Sequence, residues 1–262
     1  MSSIICPIAS RLWEGAPIRL LGNTQGLKAS PLKRLERLTH RKIHADYAVT
    51  PELARAMSEI SLEIQRQVGV LIDRRGHVRF AIVGDARSVF LPDLSAYRRD
   101  HTRLCGLRLV HTHLKHEPLS DDDLTDLALL RLDLVAAIEV ADDGLPGTVS
   151  QAHLLPRNKA EKSWEILPPV RVHDMADDFQ NLIDALEEEF TRLRAQRPTG
   201  DNRDRAILVH VSQEPHAVAE ESLSELRELC RSAGVQDVYQ VIQRRLGDPK
   251  YVMGRGRLQD TV

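Results

Sequence analysis

Gly106-Leu-Arg-Leu-Val-His-Thr-His113, then Leu114-Lys-His-Glu-Pro-Leu119, then Ser120-Asp-Asp-Asp-Leu124, is the stretch on which the reading of the chain turns. Its apolar opening reads as a strand that runs straight into His111-x-His113. Side chains alternate along a strand, so the two imidazoles project on the same side. Ser120 with Asp121, Asp122 and Asp123 then reads as the cap of a helix carrying Leu124, Leu127, Leu130 and Leu134. Val135–Val140 and Thr148–Leu154 follow as two further strands.

Upstream, Thr50-Pro51-Glu52 supplies a cap, a proline at the first helical position and an acid in the first turn. Leu53, Met57, Ile60 and Ile64 are the apolar stripe of that helix. The period then changes to extended over Val68–Asp73 and Val78–Gly84, with a turn at Arg74–His77 between them, which predicts a hairpin. Helix, hairpin, strand, helix and two strands make a mixed α/β layer of a size that one core supports. Nearer the start, Ser30 is expected to cap a helix with Pro31 in its first turn and Leu32, Leu35 and Leu38 on one face. Lys33, Arg34, Arg37, Arg41 and Lys42 surround that face, opposed by Glu36 alone. The set has two readings: contacts to a nucleic-acid backbone, or a solvated helix surface. Ahead of it, Gly22–Lys28 reads as a loop with two glycine-permitted bends.

Downstream, Arg157–Arg171 has Pro168 and Pro169 and little periodicity, so it reads as a linker. Asp174 is expected to open an amphipathic helix with Met175, Phe179, Leu182, Ile183, Leu186, Phe190 and Leu193 on one stripe, and Glu187–Glu189 facing Arg192 and Arg194. After a second linker at 197–204 come Ala206–Val211, a helix bearing Leu223, Leu226, Leu229 and Cys230 and stopped by Gly234, and then Val238–Ile242. The glycine-containing run Asp248-Pro-Lys-Tyr-Val-Met-Gly-Arg-Gly-Arg257 closes the series. Strand, helix, strand and loop is the start of a parallel α/β unit.

Composition narrows the function classes. The 262 residues carry 36 Lys+Arg against 38 Asp+Glu, a formal charge of −2, so any nucleic-acid contact rests on a local patch rather than on bulk charge. Cys6, Cys105 and Cys230 are few, odd in number and far apart, which fits a reduced, cytoplasmic protein without a disulfide framework. No apolar run is long enough to span a membrane, and no Gly-Lys-Ser/Thr phosphate loop occurs. No cysteine has a neighbouring base in the sequence, so a thiol nucleophile has no support.

His111, His113 and Asp123 form the one constellation with metal-ligand character. Two imidazoles and a carboxylate leave a fourth position for water on a zinc ion, and the Ser120 hydroxyl suits an oxyanion. The competing reading makes the histidines strand-end residues hydrogen-bonded to the Ser-Asp helix cap. The His-x-His, Ser-x-x-Asp order and the helix and hairpin before it resemble the JAB/MPN (JAMM) metalloproteases. That resemblance implies a JAB/MPN-like fold over residues 46–160, zinc, and a general-base glutamate just before Val68. Arg66 and Gln67 occupy that position here, with Glu63 one turn earlier, and six residues rather than the family's seven separate His113 from Ser120.

Residues 206–262, above all Asp248–Arg257, are similar to the opening of the N-terminal domain of HflX-type GTPases, and Gly22–Lys28 resembles a segment of that family's long-form branch. The resemblance implies a non-catalytic N-terminal region that places a GTPase on the large ribosomal subunit. GTP and Mg would belong to a GTPase domain absent from this sequence. Lys250, Arg255 and Arg257, together with the basic helix residues, would face rRNA, with no membrane partner. The expected organisation is a basic arm and helix at 1–45, the JAB/MPN-like domain at 46–160, a linker and amphipathic helix at 161–205, and the truncated start of the HflX-type α/β domain at 206–262.

Overall fold

The computed structural model describes residues 20–97, 103–156, 158, 162–176, 178–195 and 204–244. Two compact units divide between Ala195 and Gln196. The first holds a mixed seven-stranded sheet in the order β1-β3-β2-β4-β5-β6-β7. Its strands are β1 (Leu20–Gly22), β2 (Val68–Asp73), β3 (Val78–Val83), β4 (Leu107–His113), β5 (Leu134–Val140), β6 (Pro146–Leu154) and β7 (Trp164–Arg171). The β2–β3 hairpin is antiparallel, β2 pairs antiparallel with β4, and β4 pairs parallel with β5.

Every residue of β4 is buried, as expected of a central strand covered on both faces. Helix α2 (Pro51–Ile64) begins as its sequence demands: the Thr50 hydroxyl accepts from the Leu53 N–H and Pro51 sits in the first turn. It buries Leu53, Ala54, Met57 and Ile60. The Ser61 hydroxyl meets that of Thr112 at 2.7 Å, which places α2 on the face of β4 that bears its even-numbered side chains. On that same face Arg108 is fully buried, donating to the Ala48 and Asp73 carbonyls and lying 4.3 Å from the centre of the Phe179 ring. Helix α3 (Asp121–Leu130) serves the opposite, histidine-bearing face.

Several boundaries differ from the sequence reading. Helix α1 spans Ala29–Thr39 with Lys28 at the cap position, so Ser30 lies inside the first turn and caps nothing. Helix α3 ends at Leu130, Arg131 turns left-handed, and Leu134 opens β5 instead of continuing the helical stripe. Strand β1, read as part of an arm and loop, pairs parallel with β3. There Gly22 is required by close approach: a Cβ would lie 2.1 Å from the Val83 carbonyl oxygen. The proline-containing segment read as a linker is largely strand β7, an edge position where prolines are tolerated. Helix α4 starts at Phe179, not Asp174, after a 3₁₀ turn at Val172–Asp174. Phe179, Ile183 and Leu186 then join the same core as the sheet.

The second unit comprises β8 (Arg205–Ser212), α5 (His216–Ser232) and β9 (Gln236–Arg244), with β8 and β9 parallel. Gly234 stops α5 at φ +70°, as its sequence position predicts. Ala219 and Leu223 are buried, whereas Leu226 and Leu229 are exposed. Among the described residues no helix is long and apolar enough to cross a membrane.

One charged network ties these elements together. Arg74, in the hairpin turn, grips Asp133 through Nε (2.6 Å) and a terminal nitrogen (3.1 Å), and reaches Glu187 of α4 at 2.7 Å. Asp133 also accepts the Gly106 N–H, and Glu187 the Leu104 N–H. Glu187 therefore bonds across the fold rather than along its own helix; of the local pairs expected there, Arg192–Glu189 is present at 3.7 Å. The Asp133 side chain is fully buried, so removing it leaves the Gly106 N–H without its acceptor and the Arg74 guanidinium with Glu187 alone. Asp133→Ala is expected to lower the unfolding free energy by about 3–5 kcal/mol in urea titrations. A loss below about 1 kcal/mol would show that the network carries no such weight.

Candidate metal centre

His111 and His113 reach their positions because β4 alternates and because its neighbours make room. The residue opposite His111 on β2 is Gly69, and the space above it is filled by Val89, whose Cγ1 lies 3.0 Å from where a Cβ would sit. Both imidazoles are buried. The carboxylate arrives from α3 through its capping box. Ser120 donates its N–H (2.8 Å) and hydroxyl (2.7 Å) to Asp123 Oδ2, and its oxygen accepts the Asp123 N–H at 3.3 Å. These bonds fix the side chain, with Oδ1 facing His111 and Oδ2 nearer His113.

The result is a closed triangle. His111 Nε2 lies 2.9 Å from His113 Nε2 and 3.2 Å from Asp123 Oδ1, and His113 Nε2 lies 3.6 Å from Asp123 Oδ2. A tetrahedral zinc with bonds of about 2.0–2.1 Å separates its ligand atoms by about 3.3–3.4 Å. The two edges at His111 are slightly shorter than that, the third runs to the other carboxylate oxygen, and one ligand atom from each residue lies within 4.8 Å of the others. His113 Nδ1 donates to the Glu117 carbonyl at 2.8 Å, which turns the Nε2 lone pair toward the triangle, the outer contact a metal-ligating histidine needs. His111 Nδ1 is buried without a partner among the described residues.

Electrostatics divide: the Asp123 carboxylate is readied for a cation, while His113 is pushed toward the protonated form that an ion would have to displace. Burial pushes the Asp123 carboxyl up, but His111, His113 and Ser120 outweigh it and hold the group well below the usual carboxylate range. Burial likewise pushes His113 down, and Asp123 with the Glu117 carbonyl outweighs it and raises that imidazole. An ionised carboxylate beside two imidazoles can hold a divalent cation, and His111, His113 and Asp123 are the group among the described residues suited to it. The same contacts make Asp123 both cap and partner, so the cap reading and the ligand reading describe one arrangement.

No family model matches this chain, and no solved structure matches it.

The other residues singled out by sequence fare unevenly. Glu63, the nearest carboxylate to the expected base position, bonds to Arg34 at 2.8 Å. Arg34 also bonds Glu59 at 3.0 Å, so its guanidinium clamps α1 to α2 rather than standing open as an RNA contact. Arg41 donates to the Glu52 carbonyl, while Lys33, Arg37 and Lys42 remain exposed. Lys250, Arg255 and Arg257 lie outside the described residues, as do Cys6 and the glycine-containing loop. Gln67 is buried at the start of β2. Cys105 is buried, and its thiol is pushed up to about 12 chiefly by burial, consistent with the lack of support for a thiol nucleophile.

Glu139 is a residue the sequence reading did not single out. It is the β5 partner of His113 in the parallel register, and its carboxylate accepts from the Thr148 hydroxyl (2.7 Å), the Thr148 N–H (3.1 Å) and His116. The Thr148 hydroxyl and then His116 hold it down at about 2. A carboxylate depressed in the folded state stabilises above its unfolded value and loses that contribution as pH falls through the folded one. Glu139→Gln is expected to lower stability by a constant amount from pH about 5 up to the range where His116, itself raised by Glu139, loses its proton; above that the gap should shrink to the share held by Thr148. Toward acid, the gap to the parent should close between about 4.5 and about 2 in pH-dependent denaturation. A gap that does not narrow with acid would contradict the assignment.

Proposed function

We propose that this chain is the N-terminal, non-catalytic region of an HflX-type GTP-binding protein, with a JAB/MPN-like domain ahead of the family's parallel α/β unit. Its role is to help position the GTPase on the large ribosomal subunit and to regulate it. The observation that carries this reading is the run at 206–262, whose first two strands and helix form the parallel β8–α5–β9 unit that the resemblance calls for. The exposed Lys33, Arg37 and Lys42 support an rRNA contact of modest extent. GTP and Mg belong in this reading to a domain outside this sequence.

A second reading is favoured by the triangle itself: a zinc-dependent, JAMM-like centre on His111, His113 and Asp123. Bound there, zinc would supply Lewis-acid polarisation of a carbonyl or of water. The chain's own contribution is a fixed carboxylate, two oriented imidazoles and the Ser120 hydroxyl. The two carboxylates that suit a proton acceptor among the described residues are engaged, Glu63 by Arg34 and Glu139 by Thr148 and His116. Metal binding without turnover is the outcome these contacts favour.

Each reading has its own test. The purified chain is expected to co-sediment with large ribosomal subunits at low salt, and Lys33→Glu with Arg37→Glu is expected to weaken that binding. A chain that stays in the supernatant under all salt conditions would end the ribosomal reading. Elemental analysis of protein purified without chelator is expected to give one equivalent of zinc, lost in His113→Ala. Zinc at a hundredfold excess over its Kd should raise stability by about 2.7 kcal/mol in the parent and not in the variant. Absence of zinc and of any such shift would remove the metal centre.

A further inference from the structure

The opposite end of β4 opens on a second site, unrelated to the metal centre. A cavity of about 340 Å³ is bounded by the β2–β3 turn, by Leu104–Gly106 leading into β4, and by Glu187 of α4. Its volume falls at the lower end of the about 300–1,000 Å³ typical of small-molecule sites. Gly106 and His113 are seven residues apart along an extended strand, so the cavity and the histidines are separated by about 20 Å.

What distinguishes the cavity is its charge. Arg74, Arg75, Arg79 and Arg103 all line it, with Asp73 and Glu187 as the acids in the wall. Both acids are already engaged. Asp73 takes Arg79 at 2.8 Å and the N–H groups of Arg75 and His77, and these bonds outweigh burial to hold its carboxyl below the ordinary value. Glu187 takes Arg74 and the Leu104 N–H, again against the upward push of burial. Arg74 also gives its Nε and Nη2 to Asp133. Arg75 and Arg103 are exposed and make no ion pair within 4.0 Å among the described residues, although Arg103 stands near enough to Glu187 to help hold its carboxyl down.

Two exposed arginines without a short ion pair, lining one concavity together with neutralised pairs, suit an anion. A guanidinium matches phosphate oxygens in a two-pronged geometry, and a second one beside it favours a ligand with more than one phosphate. The concavity selects a small molecule over a duplex backbone, which needs a convex or grooved basic surface. Tyr97 adds an aromatic side chain to the lining. We infer that this cleft binds a small molecule bearing a diphosphate, held by Arg75 and Arg103. The inference is independent of the ribosomal and zinc readings.

Calorimetric titration of the purified chain with inorganic pyrophosphate and with ADP, against sulfate as control, tests it. Saturable one-to-one binding is expected for both diphosphates, weakening as salt rises, and tighter than sulfate. Arg75→Gln and Arg103→Gln should each weaken it at least about tenfold, the effect of losing one hydrogen bond to a charged group. Both sites are exposed, so thermal unfolding of the variants should match the parent. Lys33→Gln with Arg37→Gln, on α1, should leave the titration unchanged. No saturable binding, affinity equal to that for sulfate, or insensitivity to both cleft variants would each overturn the proposal. So would binding abolished by the α1 variant instead.

Discussion

The constraint on which the first unit rests is that β4 is central and covered on both faces. Seven consecutive residues are buried, so each side chain must find a partner on the face that alternation assigns to it. Leu109 and Val110 meet this by packing. The polar residues meet it by specific bonds: Thr112 to Ser61 and Val68, Arg108 to two carbonyls and the Phe179 ring, His111 and His113 to Asp123. A buried polar group without a partner costs about 1–3 kcal/mol, so these bonds decide where α2, α3 and α4 can sit. The helices are placed by the strand's polar residues as much as by its apolar ones.

This accounts for what was legible in the sequence. The hairpin, the His-x-His strand and the Ser120 cap are local features, set by alternation, turn residues and capping over a few positions. Asp123 could be read as cap and as ligand from the same four residues, and the structure has it touching both Ser120 and the histidines. Long-range partners left weaker traces. Asp133 was not singled out, since Leu134 was read as helical, and nothing pointed from it to Arg74 fifty-nine residues earlier. β7 was obscured by Pro168 and Pro169, which weaken a strand assignment except at an edge, and edge position is a property of the whole sheet. Ser30 lost the cap because the helix starts at Ala29, a shift of the size at which helix boundaries are ordinarily uncertain.

Charge pairing separates the surfaces that hold the fold from those free to bind. On α1, Arg34 is drawn to Glu59 and Glu63, so the basic face predicted from five cations contracts to its exposed members. In the cleft at the other end of β4, the acids are saturated by Arg74 and Arg79, and the excess resides on Arg75 and Arg103. A cation already bonded to two carboxylates gains little from a third anion, whereas an exposed, unpaired guanidinium in a concavity loses little by being desolvated against phosphate. The net charge of −2 hides this distribution.

The metal centre yields to the same accounting. A hydrolytic metal site needs ligands and, separately, a group that takes a proton from water. The ligands are in place: Asp123 is held ionised and His113 is oriented by the Glu117 carbonyl. The carboxylates that suit the second task are engaged. Glu63 belongs to Arg34, and Glu139 accepts three hydrogen bonds and is held at about 2, too low to serve as a base near neutrality. At the position where the resemblance calls for glutamate the chain has Gln67, an amide that takes no proton at neutral pH. Among the described residues, then, candidate ligands stand together while Glu63 and Glu139 are both engaged, an arrangement suited to holding an ion and tying a helix to a strand through it.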